Sequence, residues 1–222
     1  MAGKRLAGQD EYVRPRRRLA ERLARGGIRD PRVLEAVEAV PRHRLLPEGL
    51  HDQAYGDTAV PIGEGQTMSA PGVVAAMTEA LQLKGHETVL EVGTGSAYQA
   101  AVLSRLAARV VSIERRPRLA AQARSALDRL GISNVVVHLG DGSQGRIQDA
   151  PFDAIVVTAG GPRVPGPLLE QLAPRGCLVG PFGSRGEQRL VHVRRSAGGR
   201  LERSTLGPAR FVDLVGEHGW AG

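Results

Sequence analysis

The chain contains one cysteine, few aromatic residues and no long apolar run. Its single cysteine, Cys177, excludes an internal disulfide and cannot by itself build a zinc site. Aromatic residues make up only 3% of the sequence, which argues against a stacking surface for single-stranded nucleic acid. No run reaches the roughly 20 apolar residues of a membrane span, and no apolar stretch follows the basic N-terminal residues as in a signal peptide. We therefore expect a cytoplasmic protein that holds no metal and has neither a membrane nor a nucleic acid as partner.

The rest of the composition is that of an ordinary globular protein. Hydrophobic residues make up 41% of the 222 residues and charged residues 24%, and this length fits one domain with an N-terminal appendage. The formal net charge of +7 would attract anionic partners, either nucleic acid or carboxylate-bearing substrates. Net charge says little about any particular site, so it selects neither partner. We expect a monomer.

Residues 1–68 are predicted to form a helical extension followed by a substrate-side loop. Leu19 and Leu23 lie one turn apart and predict a helix, after a basic stretch that we expect to be frayed up to residue 10. An aspartate followed by Pro31 is typical of an N-cap and first helical position, and predicts a second helix. Residues 41–68 lack helical periodicity and hold several glycines and prolines. We therefore expect a long irregular segment there, with a functional role.

From residue 69 to residue 222 the pattern changes to alternating strands and helices, which we predict to form the cofactor-binding core. The β-α-β-α-β order is typical of an α/β fold with a doubly wound, mostly parallel sheet. A Gly-rich turn at Ala197-Gly198-Gly199 predicts an antiparallel hairpin near the end of the sheet. The predicted strands are residues 88–92, 110–113, 135–139, 154–158, 177–180, 189–193, 201–206 and 211–215, and the predicted helices after residue 71 include 98–106, 119–130 and 168–172.

A Gly-rich turn follows the first predicted strand of this core and opens a helix. The turn is Gly93-Thr94-Gly95-Ser96, directly after the apolar strand that contains Glu91. Glycines at such a turn let the backbone approach a nucleotide-like ligand, and the N–H groups at the helix start point toward it. Glu114 ends the next strand, 21 positions after Gly93 (114 − 93 = 21). An acid at about this spacing accepts hydrogen bonds from ribose hydroxyls, so the sequence predicts a nucleoside site.

Charge decides which nucleoside suits this turn. The string Gly93-x-Gly95-x-Ala97 is one residue too short for the dinucleotide template G-x-G-x-x-G. Glu91 would also repel a pyrophosphate, whereas a cationic ligand gives it a role. S-adenosylmethionine carries a sulfonium and an ammonium and no phosphate. We therefore predict S-adenosylmethionine rather than a dinucleotide as the cofactor.

The turn Gly140-Asp141-Gly142 follows the third strand of the core. Its residues are good turn formers, which is a sufficient structural reason for their presence. The carboxyl edge of a parallel sheet is also where ligands bind. We therefore expect Asp141 to accept a hydrogen bond from the adenine amino group.

Further motifs lie before and after the Gly-rich turn. They are Ala54-Tyr55-Gly56-Asp57, Pro61-Ile62-Gly63, Gly65-Gln66-Thr67-Met68-Ser69-Ala70-Pro71, Pro151-Phe152-Asp153 with Val157-Thr158-Ala159, and Phe211-Val212-Asp213-Leu214 with Gly219-Trp220. With the Gly-rich turn, they make the chain resemble the protein-L-isoaspartate O-methyltransferase family over nearly its whole length. The Gln-Thr-x-Ser-x-Pro string is the most specific of these motifs. The family usually has glycine where Ala97 stands, and we expect its methyl group to be tolerated, as alanine is at the comparable position of dinucleotide sites.

The resemblance implies a Rossmann-like class I methyltransferase fold and the methylation of isoaspartyl carboxylates in damaged proteins and peptides. The methyl ester would collapse to a succinimide, whose hydrolysis regenerates some normal aspartate. The implied catalytic residues are Ser69 and Thr67. The implied cofactor-binding residues are Gln66, Thr67, Met68, Ser69, Glu91, Gly93, Thr94, Gly95, Ser96, Glu114, Arg115, Asp141, Gly142 and Thr158. The implied substrate-binding residues are Tyr55, Asp57, Ile62, Gln66 and Val212.

The reaction needs alignment more than a general base. A carboxylate with a pKa near ~4 is already ionised at neutral pH, so nothing has to create the nucleophile. The hydroxyls of Ser69 and Thr67 could hold the substrate carboxylate in line with the methyl group and the sulfur. Ser69 is also a good residue for the N-cap of the helix that Pro71 begins, and we expect both roles. Val212 could add backbone contacts by strand-like pairing, although an ordinary edge strand explains this segment equally well.

Two other functions remain open at the level of sequence. The first is an S-adenosylmethionine-dependent methyltransferase that acts on RNA or a small metabolite, which the positive net charge favours and the string from Gln66 to Pro71 disfavours. The second is a catalytically silent nucleic-acid-binding domain on the same core. The three acids Glu91, Glu114 and Asp141 disfavour it, because they suit a cationic nucleoside rather than a polyanion.

Overall fold

The structure is a computed structural model, and it describes residues 11–221. The frayed stretch that we predicted up to residue 10 lies outside the described residues. Within them are six α-helices: α1 Val13–Arg25, α2 Pro31–Ala39, α3 Pro71–Leu81, α4 Tyr98–Leu103, α5 Pro117–Arg129 and α6 Gly166–Glu170. The nine strands of the same part are β1 Val60–Gly63, β2 Gln66–Met68, β3 Thr88–Val92, β4 Arg109–Glu114, β5 Val135–Leu139, β6 Phe152–Val157, β7 Leu172–Ser184, β8 Glu187–Arg195 and β9 Leu201–Ala209.

The central sheet has the order β5-β4-β3-β6-β7-β8-β9, and its strands from β5 to β7 are parallel. Helices α1 to α5 contribute to a core on one face, and α6 contributes to a separate core on the other. This arrangement confirms the predicted doubly wound α/β fold. The chain order reverses between β3 and β6, and at such a switch point the carboxyl ends of the strands leave a crevice for a ligand.

The predicted antiparallel hairpin is formed by β8 and β9, which pair on either side of the Ala197-Gly198-Gly199 turn. A second antiparallel pair, β7 with β8, was not predicted, because we expected β7 to span only residues 177–180. The predicted strand at residues 211–215 was wrong. Strand pairing in this segment is limited to isolated bridges at Asp213 and Val215. The segment crosses the ends of the strands instead of joining the sheet.

The N-terminal helices pack into the same hydrophobic core as α3, α4 and α5. Leu19 and Leu23 are buried on α1 as their spacing predicted, and the Asp30 side chain accepts a hydrogen bond from the Arg32 amide at the start of α2. The division of the chain at residue 68 stays a prediction, and its boundary falls at the end of β2. No helix in the described part of the chain combines the length and the apolar character needed to cross a bilayer.

Residues 41–68 are more ordered than we predicted. They contain two short 3-10 helices, Arg42–Leu45 and Glu48–Gln53, and the antiparallel hairpin of β1 and β2. The hairpin turn Gly63-Glu64-Gly65 has φ angles of 87°, 53° and 69°, all in the left-handed region. Its strands have four and three residues, and such short runs show too little alternation to be found by periodicity.

Candidate active site

A cavity of about 350 Å³ opens at the carboxyl ends of β3, β4 and β6. Its volume lies within the ~300–1,000 Å³ typical of small-molecule sites. The β1–β2 hairpin and the segment 211–215 supply two of its walls. The sequence-predicted site residues that line it are Gln66, Thr67, Met68, Ser69, Gly93, Thr94, Gly95, Ser96, Glu114, Arg115, Gly142, Thr158 and Val212. The fold therefore brings together most of the residues proposed from the sequence.

The Gly-rich turn is held against the end of β6 by Thr158. Gly93 has a φ of 99°, and a Cβ there would lie 2.5 Å from Thr158 Oγ1, so only glycine fits. The Thr158 hydroxyl lies 2.9 Å from the Val92 carbonyl oxygen and 2.6 Å from the Gly93 carbonyl oxygen. Because a hydroxyl has one proton, it donates a hydrogen bond to one of these two oxygens at a time. The need for glycine at position 93 is therefore explained equally well by close packing against Thr158 and by the approach of a ligand.

Glu114 lies beside the turn, as its spacing from Gly93 predicted. Its Oε2 accepts a hydrogen bond from the Gly95 amide at 2.9 Å, and its Oε1 accepts one from the Arg116 amide at 2.9 Å. The carboxylate is 5% exposed and lines the cavity. Each carboxylate oxygen has a second lone pair, so the group can also accept from the hydroxyls of a ribose.

Glu91 does not line the cavity, contrary to the direct cofactor contact expected from the sequence. Its side chain is fully buried, and its Oε2 accepts a hydrogen bond from Ser112 Oγ. Burial raises the pKa of Glu91 to about 8, against the hydrogen bond from Ser112, and the nearby charge of Glu114 adds to the rise. The carboxyl is therefore largely protonated at neutral pH. The sequence argument relied on a negative charge on Glu91, and its direct contact with the cofactor stays a prediction.

Asp141 also lies outside the cavity wall, although its neighbour Gly142 belongs to it. Its Oδ1 accepts from the amide and the hydroxyl of Ser143, and its Oδ2 accepts from the Glu217 amide at 2.8 Å. Burial would raise the pKa of Asp141, but the hydrogen bonds from Glu217 and Ser143 hold it below its ordinary value. In this conformation the carboxylate fastens the C-terminal segment, and its proposed contact with adenine stays a prediction.

Ser69 does not cap α3, so that expectation was wrong. Ala70 is the N-cap residue, and no side chain bonds to the first turn from that position. Ser69 is half-buried, Thr67 is exposed, and both line the cavity. Within residues 11–221 neither hydroxyl has a hydrogen-bond partner, so both are available to a ligand.

Three of the predicted substrate residues lie away from this cavity. The Tyr55 hydroxyl is 2.6 Å from His43 Nδ1, inside the N-terminal part of the fold. Asp57 Oδ1 accepts from the Gly72 amide and so fixes the start of α3. Ile62 lines a neighbouring cavity of about 320 Å³, which shares Gly95 and Ser96 with the first. Direct substrate contact by these three residues stays a prediction, whereas Gln66 and Val212 are on the wall.

Several wall residues were missed by sequence reasoning. Phe211, Asp213, Leu214 and Val215 belong to the cavity because hydrogen bonds hold their segment across it. The Val212 carbonyl accepts from the Gly160 amide at 2.7 Å, and the Leu214 amide donates to the Gly160 carbonyl at 2.8 Å. The other missed wall residues are Gly65, Val74, Met77, Val92, Tyr98, Gln99, Ile113, Arg116 and Ala159. Tyr98 and Gln99 could have been found, because they begin α4 one residue after the Gly-rich turn.

The wall suits a nucleoside with a short polar tail. Glu114 and the turn of residues 93–96 offer polar contacts for a ribose and for the tail, and Val92 and Ile113 are apolar neighbours of Glu114. Thr67 and Ser69 lie on the hairpin side of the same cavity. A ligand held by the turn would therefore share its cavity with two hydroxyls.

Comparison with known proteins identifies the relatives of this chain. The family model described as protein-L-isoaspartate(D-aspartate) O-methyltransferase matches residues 14–219. A protein-L-isoaspartate O-methyltransferase 1 of Syntrophobacter fumaroxidans is 52% identical over 212 residues, which cover 95% of this chain and 99% of the relative.

Solved structures give the same result. A structure named protein-L-isoaspartate O-methyltransferase superposes with a TM-score of 0.83 at 29% identity, over 92% of this chain and 67% of that chain. A structure from Plasmodium falciparum, described under the same enzyme name and in complex with S-adenosyl-L-homocysteine, has a TM-score of 0.78 at 25% identity, over 90% of this chain and 98% of that one.

Proposed function

Because the chain belongs to the protein-L-isoaspartate(D-aspartate) O-methyltransferase family, we propose that its main cavity binds S-adenosylmethionine and presents the methyl group to an isoaspartyl carboxylate. The enzyme transfers that methyl group to the free carboxylate of L-isoaspartyl residues in damaged proteins and peptides. The methyl ester then collapses to a succinimide, which starts repair. The observation that carries the assignment of the cavity is that Thr67 and Ser69 line the same space as the Gly-rich turn and Glu114.

S-adenosylmethionine supplies an activated methyl group with a good leaving group. The protein has to hold the acceptor oxygen about 3–3.5 Å from the methyl carbon, in line with the bond that breaks. The Ser69 and Thr67 hydroxyls donate hydrogen bonds to one carboxylate oxygen of the substrate and leave the other oxygen to attack. No proton has to be removed from the substrate, because its carboxyl group is ionised at neutral pH.

The cofactor side of the cavity follows from the hydrogen-bond groups on its wall. Glu114 accepts from the ribose hydroxyls, and the backbone of Gly93 to Ser96 approaches the amino acid tail. Gln66, Met68, Arg115, Gly142 and Thr158 complete the proposed set on the wall. Asp141 Oδ2 accepts one hydrogen bond, from the Glu217 amide, so its second lone pair is left for the proposed bond from the adenine amino group.

Gln66 and Val212 are the proposed contacts to the peptide. They belong to two different walls of the cavity, the β1–β2 hairpin and the segment 211–215. The side-chain amide of Gln66 can both donate and accept, so it can read the peptide backbone. The Val212 carbonyl is already bonded to Gly160, so its residue would offer the amide instead.

The other functions that the sequence left open are not favoured, because the chain matches its relatives over 95% of its length. A cytoplasmic location and a monomeric state stay predictions from the sequence.

The deciding experiment compares methyl acceptors. Purified protein with labelled S-adenosylmethionine is offered an isoaspartyl peptide, the matching aspartyl peptide and bulk RNA. We expect methyl incorporation into the isoaspartyl peptide alone, and the label should be lost with time as the ester collapses. Equal labelling of both peptides, or labelling of RNA, would contradict the proposed function.

A further inference from the structure

The positive charge of the chain is concentrated in α1 and the residues that flank it. Residues 11–29 hold seven arginines and two glutamates, which gives a net charge of +5 (7 − 2 = 5). Residues 1–10 carry +1, so residues 30–222, which include the whole sheet and the cavity, carry only +1 (7 − 5 − 1 = 1). The formal charge of +7 is therefore local. A local excess of one sign creates a directed field, which an evenly spread charge does not.

Helical geometry places three of these arginines on one stripe of α1. Arg14, Arg18 and Arg25 are separated by four and seven residues, so they lie on the same side of the helix over three turns, ~16 Å in length. All three are exposed, and their side chains have no ion pair within residues 11–221. Leu19 and Leu23 lie on the other side and are buried in the core. We call Arg14, Arg18 and Arg25 the basic stripe.

The basic stripe does not stabilise the helix that carries it. Arg14 and Arg18 are four residues apart, and like charges at this spacing destabilise a helix. The first turn of α1 contains no acidic residue, so its arginines oppose the helix dipole without compensation. The ion pair found on the described part of the helix joins Arg17 to Glu21, outside the stripe. The reason for the stripe therefore lies outside the helix itself.

A short series of contacts joins α1 to the substrate side of the cavity. Arg22 Nη2 donates a hydrogen bond to the Tyr55 carbonyl oxygen at 2.5 Å. Two residues later, Asp57 accepts from the Gly72 amide at the start of α3. Ser69 of the cavity wall lies three residues before Gly72. A polypeptide that places its acceptor carboxylate beside Ser69 can therefore reach α1 with the part of its chain that lies outside the cavity.

We propose that the basic stripe is a docking surface for acidic segments of the substrate polypeptide, beyond the residues that enter the cavity. The inference rests on the proposed function. A polypeptide gains negative charge when an asparagine is converted into isoaspartate, because a carboxylate replaces a neutral amide. Charge complementarity of this kind raises the rate of association more than it tightens the final complex. The stripe recognises the substrate and takes no part in methyl transfer.

The stripe suits an acidic polypeptide better than a nucleic acid. Proteins that bind single strands combine basic side chains with aromatic rings on which the bases stack. Tyr12 is the one aromatic residue of the segment 11–29, and its ring stacks on His43 with the ring centres 3.9 Å apart. The stripe thus offers charge without a stacking surface. An arginine binds a carboxylate through two parallel hydrogen bonds, which glutamate and aspartate side chains can accept.

Isoaspartyl peptides with a remote tail test the docking surface. One short peptide with uncharged neighbours is made without a tail, with a tail of glutamates and with a tail of glutamines, at either end. The tail is joined through about nine glycine and serine residues, which span about 15–18 Å on average and keep it out of the cavity. We expect kcat/KM for the glutamate form to exceed that for the glutamine form by about tenfold at low ionic strength. In about 0.5 M salt the two should agree within about twofold, because exposed charges are screened.

Neutralisation of the stripe should abolish this gain. The triple variant Arg14→Gln/Arg18→Gln/Arg25→Gln changes exposed side chains only, so the fold is kept. Its kcat/KM for the tail-free peptide and its affinity for S-adenosylhomocysteine should match those of the wild type. A general loss of structure would lower both, whereas the loss of a docking surface affects the glutamate form alone.

A second triple variant is the matched control. Arg189→Gln/Arg200→Gln/Arg203→Gln lowers the net charge by the same amount at exposed positions of β8, of β9 and of the turn between them. It should keep the gain from the glutamate tail. An equal loss in the two triple variants would show that the net charge, and not α1, attracts the tail, and would overturn the inference.

Direct binding separates the inference from the proposed function. The fluorescence anisotropy of a labelled glutamate-tailed peptide reports docking even if no methyl group is transferred. Binding that is absent from the wild type, or unchanged when the stripe is neutralised, would overturn the inference and leave the proposed function standing. Tighter binding of a single-stranded RNA of equal charge, lost in the stripe variant, would identify a nucleic acid as the partner and also overturn it. Stripe-dependent binding of the peptide without methylation of any peptide would contradict the proposed function instead.

Discussion

At the scale of single residues, the backbone conformation explains a departure from the family pattern. Ala97 has a φ of 68°, in the left-handed region that suits glycine, and it occupies the N-cap of α4. From the sequence we expected the methyl group of Ala97 to be tolerated, by analogy with dinucleotide sites. The structure shows a conformational reason for the usual glycine, which a sequence pattern without dihedral angles could not show.

Ala97→Gly should therefore cost less stability than the same change elsewhere on α4. Relief of the left-handed alanine is worth about 1–2 kcal/mol, which is offset by the extra chain entropy of glycine, about 0.5–1 kcal/mol, and by the loss of a fully buried methyl group, about 0.8 kcal/mol. We expect the free energy of unfolding, measured by urea denaturation, to stay within about 1 kcal/mol of wild type. Ala101→Gly on the same helix is the control, because it loses an equally buried methyl group without this relief, and it should destabilise by about 1–2 kcal/mol more than Ala97→Gly. Equal losses of stability in the two variants would contradict this account.

Ser69→Ala tests the positional role of the active-site hydroxyl. Ser69 carries no capping hydrogen bond, so its removal leaves α3 intact. The loss of one hydrogen bond to the charged carboxylate of the substrate is worth about 1.5–3 kcal/mol, which corresponds to a fall in kcat/KM of about 10- to 150-fold. Steady-state kinetics with an isoaspartyl peptide measure the fall, and calorimetry checks that S-adenosylhomocysteine still binds. Complete inactivation with intact binding would show that alignment alone is not the role of Ser69.

At the scale of elements, the β1–β2 hairpin acts as a cover of the cavity that is fastened at its tip. Glu64 Oε2 lies 3.6 Å from Arg116 Nη1, and its Oε1 lies 3.7 Å from Arg118 Nη1. Gly65 and Arg116 line the cavity, so these ion pairs join the hairpin to the start of α5 beside the cavity wall. The pairs are partly exposed, and each is worth about 0–1 kcal/mol.

Glu64→Gln should loosen this cover. We expect S-adenosylhomocysteine to dissociate faster by a few-fold, in line with the modest strength of exposed ion pairs. Stopped-flow fluorescence or surface plasmon resonance measures the rate, and the difference from wild type should shrink at high salt. Glu21→Gln, which removes the 3.2 Å pair with Arg17 on α1, should leave the rate unchanged. A salt-independent effect would rule out electrostatic fastening.

The elements differ in how far the sequence could predict them. The bounds of β3 and β5 were predicted to the residue, because both are apolar runs with clear breaks at each end. The hairpin of β1 and β2 was missed because its strands are short. The segment 211–215 has the composition of a strand, but its hydrogen bonds go to a distant loop at Gly160, and local pattern carries no information on that contact.

The residues of the candidate site also differ in how far the sequence could predict them. Residues on the Gly-rich turn and at the ends of β4 and β6 could be predicted, since the topology of a parallel sheet brings them to one edge. The position of Glu91 could be predicted, but its protonation could not, because it depends on complete burial and on the neighbouring strand. The capping role of Ser69 was wrong because the chain turns one residue later, at Ala70.

At the scale of the whole molecule, Glu91 makes stability depend on pH. Its pKa is about 8 in the folded protein and about 4.3 in an unfolded chain. Between these values the folded state holds a proton that the unfolded state has lost. The free energy of unfolding therefore falls as pH rises through this range, and it levels off above about pH 8.

Glu91→Gln should remove this dependence. Glutamine does not titrate, so the variant should lose less stability than wild type between pH 5 and pH 8. Urea denaturation of both proteins at the two pH values measures the difference. Because other groups titrate in both proteins alike, the contrast between the two isolates Glu91. Parallel stability curves would show that Glu91 ionises at its ordinary pKa in the folded state.

The cavity is enclosed by two covers that lie far apart along the chain, the hairpin near residue 64 and the segment 211–215. The sheet between them has its own pairing and its own packed helices. Proteolytic cleavage within either cover would therefore leave the sheet and its helices folded but weaken the binding of the ligand. Loss of activity in an ageing preparation can thus precede any loss of secondary structure, and intact mass would be a better measure of its quality than circular dichroism.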